Sequence, residues 1–170
     1  MAALPPPRDH TTGVYRVALV CLGNICRSAM AHVVMERKLE KAGLSSRVEV
    51  DSSGTGDWHI GEQMDRRAAA TLTGAGYDAT RHRSRLFESD WYDSHDLILV
   101  MDDMNRADVL QLAPTPDEAA RVMMFREFDP QAGEDLVLPD PWYGGLRGFE
   151  DVLDTVERTT DALIDALAAQ

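Results

Sequence analysis

The sequence predicts an α/β fold in which a four-stranded parallel sheet carries helices on both faces. Two patterns indicate this fold. Short runs rich in Val, Ile and Leu alternate along the chain with segments that have the periodicity of amphipathic helices. The runs also contain few polar residues, as is typical of strands buried on both faces. Because strands and helices alternate, right-handed crossovers are expected to make the strands parallel.

The predicted elements follow one another in regular order. The strands are short and apolar, and they span residues 14–20, 48–51, 97–101 and 122–125. The helices have helix-favouring residues or apolar residues at helical spacing, and they span residues 28–42, 65–74, 105–112 and 149–168. Ser28 is the predicted N-cap of the first helix, and Gly43 is expected to end it. Residues 52–56 are rich in Ser and Gly and are predicted to form a loop.

Length and composition predict one globular domain. The chain has 170 residues, of which 44% are hydrophobic and 27% charged, enough to build a core without disulfides or metals. Residues 1–13 include three consecutive prolines and are predicted to be a flexible lead-in, followed by a single domain over residues 14–170. The sequence has few cysteines and lacks a cationic-then-apolar stretch like a signal peptide. No apolar run approaches the ~20 residues that cross a bilayer, so we expect a cytoplasmic protein without a membrane partner.

The balance of charge limits the partners that the protein can bind. The net charge is −12, which argues against a nucleic-acid partner because phosphate backbones are bound by clustered Lys and Arg. An anion bound by this acidic chain must therefore be held locally, by backbone amides and one or two arginines.

The segment Cys-Leu-Gly-Asn-Ile-Cys-Arg-Ser at residues 21–28 lies between the first predicted strand and the first predicted helix. Loops at the carboxyl ends of parallel strands are where α/β folds bind ligands. Gly23 and Asn24 readily adopt left-handed backbone angles, so this turn can direct backbone N–H groups to one point. The positive end of the following helix and the guanidinium of Arg27 favour a dianion such as a phosphoryl group there. The same field favours the thiolate form of Cys21, which predicts a nucleophile.

The chain has two cysteines, and both lie in this segment. Such a pair is compatible with a structural disulfide or metal clip, a redox pair, or a nucleophile in an anion-binding loop. Zinc is disfavoured because no second cysteine pair or matching histidine pair completes a four-ligand site, and thioredoxin-like chemistry uses C-x2-C, which is absent. We therefore predict that Cys21 is the nucleophile. For Cys26 two alternatives stay open: a buried packing residue, or a partner that forms a reversible disulfide with Cys21.

Residues 21–28 resemble the low-molecular-weight protein tyrosine phosphatases, whose signature C-x-G-N-x-C-R-S occurs here without a gap. Later segments resemble that family in the same order, and they are residues 51–52, 54–58, 82–85, 100–102 and 140–144. The resemblance covers nearly everything from about residue 15 onward. It implies the fold of that family, a parallel sheet with flavodoxin-like layering.

The resemblance implies a role for each matching residue. Cys21 is expected to attack phosphorus, Arg27 to bind the phosphoryl oxygens, and Asp140 to act first as general acid and then as general base. The expected phosphate-binding loop comprises Leu22, Gly23, Asn24, Ile25, Cys26, Arg27 and Ser28. The residues expected to hold this loop in shape are Asn24, Ser28, Ser52 and His82. The residues expected to wall a pocket for an aromatic ring are Leu22, Trp58, Trp142 and Tyr143.

The function implied is that of a protein tyrosine phosphatase, which hydrolyses phosphotyrosine and small aryl phosphates through a cysteinyl-phosphate without metal or cofactor. Its expected partners are phosphotyrosine-containing proteins, with inorganic phosphate and similar oxyanions as competing ligands. Two alternatives remain: an arsenate reductase on the same scaffold, and a non-catalytic phosphotyrosine-binding module. Residues 29–170 contain no cysteine to carry electrons out, which disfavours the first. The joint presence of Cys21, Arg27 and Asp140 disfavours the second.

Two residues of the first helix depart from the family pattern, since Ala29 stands where Pro is usual and His32 where Glu is common. Neither is among the expected catalytic residues, and His32 is predicted to be an exposed helix residue. His82 has two alternatives, a buried network role or a place in a solvated basic patch that contacts an acidic part of the substrate. The arginines of that patch are Arg81, Arg83 and Arg85.

Overall fold

Four parallel strands form the sheet of the computed structural model, which describes residues 2–8 and 13–170. In chain order the strands are β1 (Tyr15–Cys21), β2 (Val48–Gly54), β3 (Leu97–Val100) and β4 (Val122–Met124). Their order in space is β2-β1-β3-β4, and each neighbouring pair is parallel. The chain leaves β1 toward β2 on one side and reaches β3 on the other. The carboxyl ends of β1 and β3 therefore border the crevice in which α/β folds bind ligands.

Six α-helices lie among the described residues, and they are α1 (Arg27–Lys41), α2 (Arg66–Gly74), α3 (Trp91–Ser94), α4 (Asp103–Gln111), α5 (Pro116–Ala119) and α6 (Leu146–Ala168). The first two and the last pack together over one face of the sheet, where Val17 and Leu19 of β1 point. Ala18 and Val20 point to the opposite face, which α3 and α4 cover with Tyr92 and Val109. The prediction of a parallel sheet with helices on both faces is confirmed.

The start of α1 differs from the sequence prediction. The helix begins at Arg27, and Cys26 occupies the N-cap position without a side-chain cap. Ser28 is therefore not the N-cap: its hydroxyl lies inside the first turn, 3.0 Å from the sulfur of Cys21. The physical reason is that the preceding loop uses this hydroxyl for its own hydrogen bonds, so it is not available to the helix terminus.

The ends of other strands and helices differ from the predicted ends where strand pairing or packing outweighs local sequence preference. Strand β2 continues to Gly54, because Ser52 pairs with Leu19 and Gly54 with Cys21 in the parallel register, so only part of residues 52–56 is a loop. The last helix begins at Leu146, before the predicted residue 149. Neither α3 nor α5 was predicted, since four residues are too few to show a helical period.

Residues 2–8 lie against the domain. The Arg8 guanidinium donates two hydrogen bonds to Glu118, at 2.6 and 2.8 Å, and its backbone N–H donates to Asp96 at 2.7 Å. The Tyr15 hydroxyl donates to the carbonyl of Pro5 at 2.9 Å. These contacts differ from the expectation of a segment that buries too little surface to order itself. Met1 and residues 9–12 of the predicted lead-in lie outside the described residues.

None of the helices in residues 2–8 and 13–170 is long and apolar enough to cross a membrane.

Candidate active site

Cys21 is the last residue of β1, and its sulfur lies within hydrogen-bond distance of the Asn24 backbone N–H and of the Ser28 hydroxyl. The Asn24 backbone N–H donates to Sγ at 3.3 Å, and the Ser28 hydroxyl lies 3.0 Å from it. The Ser28 oxygen already accepts a hydrogen bond from the Asn24 side-chain amide at 2.7 Å. Its proton is therefore free to point either at the sulfur or at the Ser53 carbonyl oxygen, 3.3 Å away. This arrangement can stabilise negative charge on the sulfur whenever it forms.

Asn24 sets the shape of the phosphate-binding loop (residues 22–28). Its φ of 56° is in the left-handed region, and the residue is fully buried. Its side-chain oxygen accepts the backbone N–H of Arg85 at 3.0 Å, and its backbone carbonyl lies 2.7 Å from Nε2 of His82. The Ser84 hydroxyl donates to the carbonyl of Gly23 at 2.9 Å. The segment that contains residues 82–85 therefore braces the loop from outside.

His82 is a buried, neutral imidazole. Burial lowers its pKa to about 4, and the nearby His32 and Arg85 add to that effect, while the hydrogen bond to Asn24 opposes it. At neutral pH, Nε2 carries the proton that is donated to the Asn24 carbonyl. Of the two alternatives for His82, the structure gives the buried network position, whereas the side chain of Arg81 is 82% exposed.

Ser52 reaches the phosphate-binding loop through two histidines. Its hydroxyl bonds to Nδ1 of His32 at 2.7 Å, and the His32 ring meets the His82 ring edge to face at 6.3 Å. The expectation that His32 is an exposed helix residue is wrong. Its ring lies between β2 and His82, and it also lies 3.4 Å from Glu36. Helical periodicity did not reveal this position because the partners come from other parts of the chain.

Arg27 begins α1 and is a buried cation aimed at the cavity. Nη1 donates to Asp102 at 2.7 Å and to the carbonyl of Leu138 at 3.1 Å, and only 3% of the side chain is exposed. Burial alone would lower the pKa of this guanidinium, but Cys21 and Asp102 raise it above its ordinary value, so the charge is retained. Asp102 also caps α4 by accepting the Asn105 N–H at 2.8 Å. A rigid cation is thus supplied locally in an acidic chain.

Asp140 begins a separate loop at the mouth of the site, which we call the acid loop (residues 140–144). Its Oδ1 accepts the backbone N–H of Trp142 at 3.0 Å and so caps a short 3-10 helix, Pro141–Tyr143. Its Oδ2 lies 3.7 Å from Nη2 of Arg27, and the side chain is 37% exposed. One carboxylate oxygen is therefore fixed, and the other faces the cavity and solvent.

A cavity of about 240 Å³ lies over the phosphate-binding loop. All of the predicted wall residues line it, and they are Leu22, Trp58, Trp142 and Tyr143. Ile25 and His59 line it as well, although the sequence did not single them out as walls. Gly56 permits this wall, because a Cβ there would lie 1.9 Å from the Trp58 ring. The result is an aromatic slot with the reactive groups at its base.

Cys26 is also a free thiol in the described structure, and it is buried in the main core cluster. Burial raises its pKa above the ordinary range, with the nearby Asp65 acting in the same direction. It therefore stays protonated at neutral pH, in surroundings typical of a packing residue. A reversible disulfide with Cys21 stays a prediction.

Some residues of the site could not be singled out from sequence. Asp102 lies in a segment that resembles the family, yet nothing in that segment indicated its pairing with Arg27, 75 positions earlier. The sequence likewise did not indicate that the Ser84 hydroxyl and the Arg85 backbone N–H bond to the phosphate-binding loop. The pattern of that segment is dominated by its charged side chains. No sequence pattern indicated a role for Arg67, which donates a hydrogen bond to the Trp142 carbonyl.

Comparison with known proteins agrees with this geometry. The family model for the low molecular weight phosphotyrosine protein phosphatases matches residues 16–170. The chain belongs to this family. Among its relatives, a low molecular weight protein-tyrosine-phosphatase of Streptomyces coelicolor is 45% identical over 157 residues, which are 92% of this chain and 95% of the relative. The low molecular weight protein-tyrosine phosphatase A of Mycobacterium tuberculosis is 41% identical over 150 residues, 88% of this chain and 89% of the relative.

Solved structures of similar proteins share the whole fold of this phosphatase family member. A protein tyrosine phosphatase from Entamoeba histolytica, crystallised with Hepes in its active site, superposes with a TM-score of 0.85 at 32% identity. The match covers 91% of this chain and 97% of that one. YfkJ from Bacillus subtilis gives a TM-score of 0.86 at 26% identity, over 94% of this chain and 98% of that one.

Proposed function

We propose that the protein is a phosphatase that hydrolyses phosphotyrosine in proteins, and small aryl phosphates, through a cysteinyl-phosphate on Cys21. One observation carries this proposal: the Asn24 N–H donates to the Cys21 sulfur and the Ser28 hydroxyl contacts it, at the base of a cavity whose mouth holds the Asp140 carboxylate. A nucleophile, a cation and an acid–base group are thereby arranged around one point. Membership of the family supports the same activity.

The first step is displacement at phosphorus. The Cys21 sulfur attacks the phosphorus atom while the bond from phosphorus to the tyrosine oxygen breaks, and the electron pair of that bond goes to the leaving oxygen. Protonated Asp140 donates its proton to this oxygen, so that neutral tyrosine leaves. The Arg27 fork and the loop amides bind the phosphoryl oxygens throughout the transfer.

The second step returns the enzyme to its starting state. Asp140, now a carboxylate, takes a proton from a water molecule as the water oxygen attacks phosphorus. The bond between phosphorus and sulfur breaks, its electron pair returns to the Cys21 sulfur, and phosphate is released. The Asn24 N–H and the Ser28 hydroxyl support this step, because they are placed to stabilise the departing thiolate.

The depth of Cys21 below the rim of the cavity supports the proposed preference for phosphotyrosine. Only 3% of Cys21 is exposed, whereas the rim residues Trp58 and Tyr143 are 66% and 92% exposed. A phosphoryl group must therefore be carried down the slot on a long, flat stem. A phenol ring provides this stem, and the side chain of phosphoserine is too short to do so.

We further propose that inorganic phosphate and similar oxyanions compete for the loop, because they present the same tetrahedral oxygens to Arg27. A cytoplasmic location fits the chemistry, since a reducing compartment keeps the thiol of the nucleophile available.

The proposal is tested by turnover of a phosphotyrosine peptide and of the same peptide with phosphoserine, without added metal. We expect the wild type to hydrolyse the first peptide at least ~10²-fold faster than the second, and Cys21→Ser to be inactive on both. Rapid quenching of the Asp140→Asn variant during turnover of 2,4-dinitrophenyl phosphate, whose leaving group needs no proton, should trap a phosphoryl group on Cys21, identified by peptide mass. Binding of the peptide without turnover, or thiol-dependent arsenate reduction at a rate matching ester hydrolysis, would contradict the proposal.

A further inference from the structure

The backbone of Trp142 is held on both sides of its Cα. Its N–H donates to Oδ1 of Asp140 at 3.0 Å, and its carbonyl oxygen accepts Nη1 of Arg67 at 3.1 Å. Arg67 belongs to α2, far from the acid loop in sequence. The orientation of the Asp140 carboxylate therefore depends on Trp142, which in turn is tied to a residue outside the loop.

Arg67 is itself held firmly in place. Its Nε and Nη2 donate to the two carboxylate oxygens of Asp65, the N-cap of α2, at 3.3 and 3.2 Å. Its guanidinium lies 4.7 Å from the ring centroid of Phe149, a fully buried core residue of α6. The indole of Trp142 lies on it as well, at 5.2 Å. A planar cation between two rings suits Arg, which stacks on aromatic faces while donating in its own plane.

The rest of the acid loop has few supports of this kind. Tyr143 is 92% exposed, and Trp142 is 40% exposed. The loop's own hydrogen bonds, from Trp142 N–H to Asp140 and from Gly144 N–H to Pro141, fix its internal shape and not its position on the domain. Pro141 is buried beside Gly148 of α6, and the Asp140 carboxylate lies 3.7 Å from Arg27, but Arg67 alone bonds to the backbone of Trp142 from outside the loop among the described residues.

We propose that Arg67 is a positioning residue for the general acid: by resting on Phe149 while it bonds to the Trp142 carbonyl and stacks on the indole, it keeps the Asp140 carboxylate at the mouth of the cavity. The inference rests on the proposed function, since it assigns Asp140 the proton transfer. Arg67 touches neither the substrate nor the reacting atoms in this role. Its removal acts only on steps in which Asp140 moves a proton.

The leaving group of the substrate separates this role from a merely structural one. A poor leaving group such as tyrosine needs the proton, whereas 2,4-dinitrophenolate leaves without it. We expect Arg67→Ala to lower kcat/KM for a phosphotyrosine peptide by about 10- to 100-fold and for 2,4-dinitrophenyl phosphate by less than about 3-fold. Equal losses for both substrates, or no loss for either, would overturn the inference.

Arg66 provides the matched control. It is the preceding residue in the same helix, has the same charge, and is exposed. Arg66→Ala should leave both kcat/KM values within about 2-fold of the wild type, since solvent-exposed charges contribute little. If Arg66→Ala lowered the two kcat/KM values as much as Arg67→Ala does, the loss would come from the net charge of α2, and the positioning role would be overturned.

A conservative variant and a double variant complete the test. Arg67→Lys keeps the charge but lacks the planar fork, so it should show most of the loss of kcat/KM that Arg67→Ala shows for the phosphotyrosine peptide. Wild-type kcat/KM in Arg67→Lys would assign the effect to charge alone and overturn the inference. In an Asp140→Asn background, adding Arg67→Ala should lower kcat/KM for the phosphotyrosine peptide by a further factor of less than about 2, because the proton transfer is already lost. Undiminished activity of Asp140→Asn itself would instead refute the proposed function, so the two failures are distinguishable.

Discussion

The phosphate-binding loop and the acid loop act together in the proposed reaction but are built in opposite ways. In the first, Asn24, Arg27 and Ser28 are at most 3% exposed and bond to several other parts of the chain. In the second, Asp140 and Trp142 are more than a third exposed, and the Trp142 backbone is bonded to Arg67 of α2. The group proposed to bind phosphoryl oxygens is thus fixed by burial. The group proposed to exchange protons with water lies where water and substrate can enter.

The comparison predicts that the largest loss follows a change inside the buried loop. Arg27→Lys keeps the charge but removes the planar fork that binds two oxygens, and it leaves part of Asp102 or the Leu138 carbonyl without its donor. We expect kcat/KM to fall about 10²- to 10³-fold for every aryl phosphate, regardless of leaving group. Steady-state kinetics on a series of substituted phenyl phosphates measures this. A loss confined to poor leaving groups would show that Arg27 acts through Asp140 instead.

The next largest effect is expected at Asn24, where backbone conformation and side-chain hydrogen bonds can be separated. Asn24→Gly keeps the left-handed backbone but removes the amide that bonds to Ser28 and Arg85. We expect about a 10- to 100-fold fall in kcat and a loss of about 1–3 kcal/mol in the free energy of unfolding. Asn24→Ala should lose about 1 kcal/mol more, as Ala is strained at this φ. Equal stabilities of the two variants in urea would contradict that assignment.

A pH-dependent effect should also come from the buried side of the comparison. Between pH 6.5 and 4 the unfolded chain protonates His82 while the folded protein does not, so the free energy of unfolding falls as the pH falls. The expected loss is about 2 kcal/mol between pH 6.5 and 4.5. His82→Gln retains a donor for Asn24 but does not titrate, so its urea midpoint should vary less over this range. Asp51 and Asp129, each with a pKa held near 2, lose their stabilisation only below this window.

The smallest effect is expected on the exposed side. Trp142→Ala removes one wall of the slot but leaves the backbone bonds of the acid loop available. We expect KM for p-nitrophenyl phosphate to rise about 5- to 10-fold and the free energy of unfolding to change by less than about 0.5 kcal/mol. Paired kinetic and denaturation measurements check this. A loss of stability like that of Asn24→Gly would show that the acid loop is part of the core after all.

The sequence predicted the parts of the molecule that are local in the chain. Cys21, Arg27 and Ser28 lie within eight residues, so strand, loop and helix signals place them together without knowledge of the fold. The layering of the sheet was also predictable, because each strand and each long helix has its own apolar pattern.

Contacts between distant segments were not predictable in the same way. His32 has the sequence pattern of an ordinary helix residue, and its bond to Ser52 exists only because α1 packs beside β2. Asp102 and Arg67 are two of many charged residues, and each gains a role only when folding brings it to Arg27 or to Trp142. The motif resemblance predicted the proposed reacting groups, whereas the contacts that orient them depend on how distant segments pack.

The positions of residues 7–8 and of the last residues of α6 affect where another domain can be attached to this molecule. Pro7 and Arg8 line the same hollow as Leu167 and Gln170, beside Tyr15 at the amino end of β1. The phosphate-binding loop lies at the other end of that strand. A reporter domain or surface linker attached after Gln170, beside Pro7 and Arg8, would therefore be carried at the end of the sheet opposite the phosphate-binding loop.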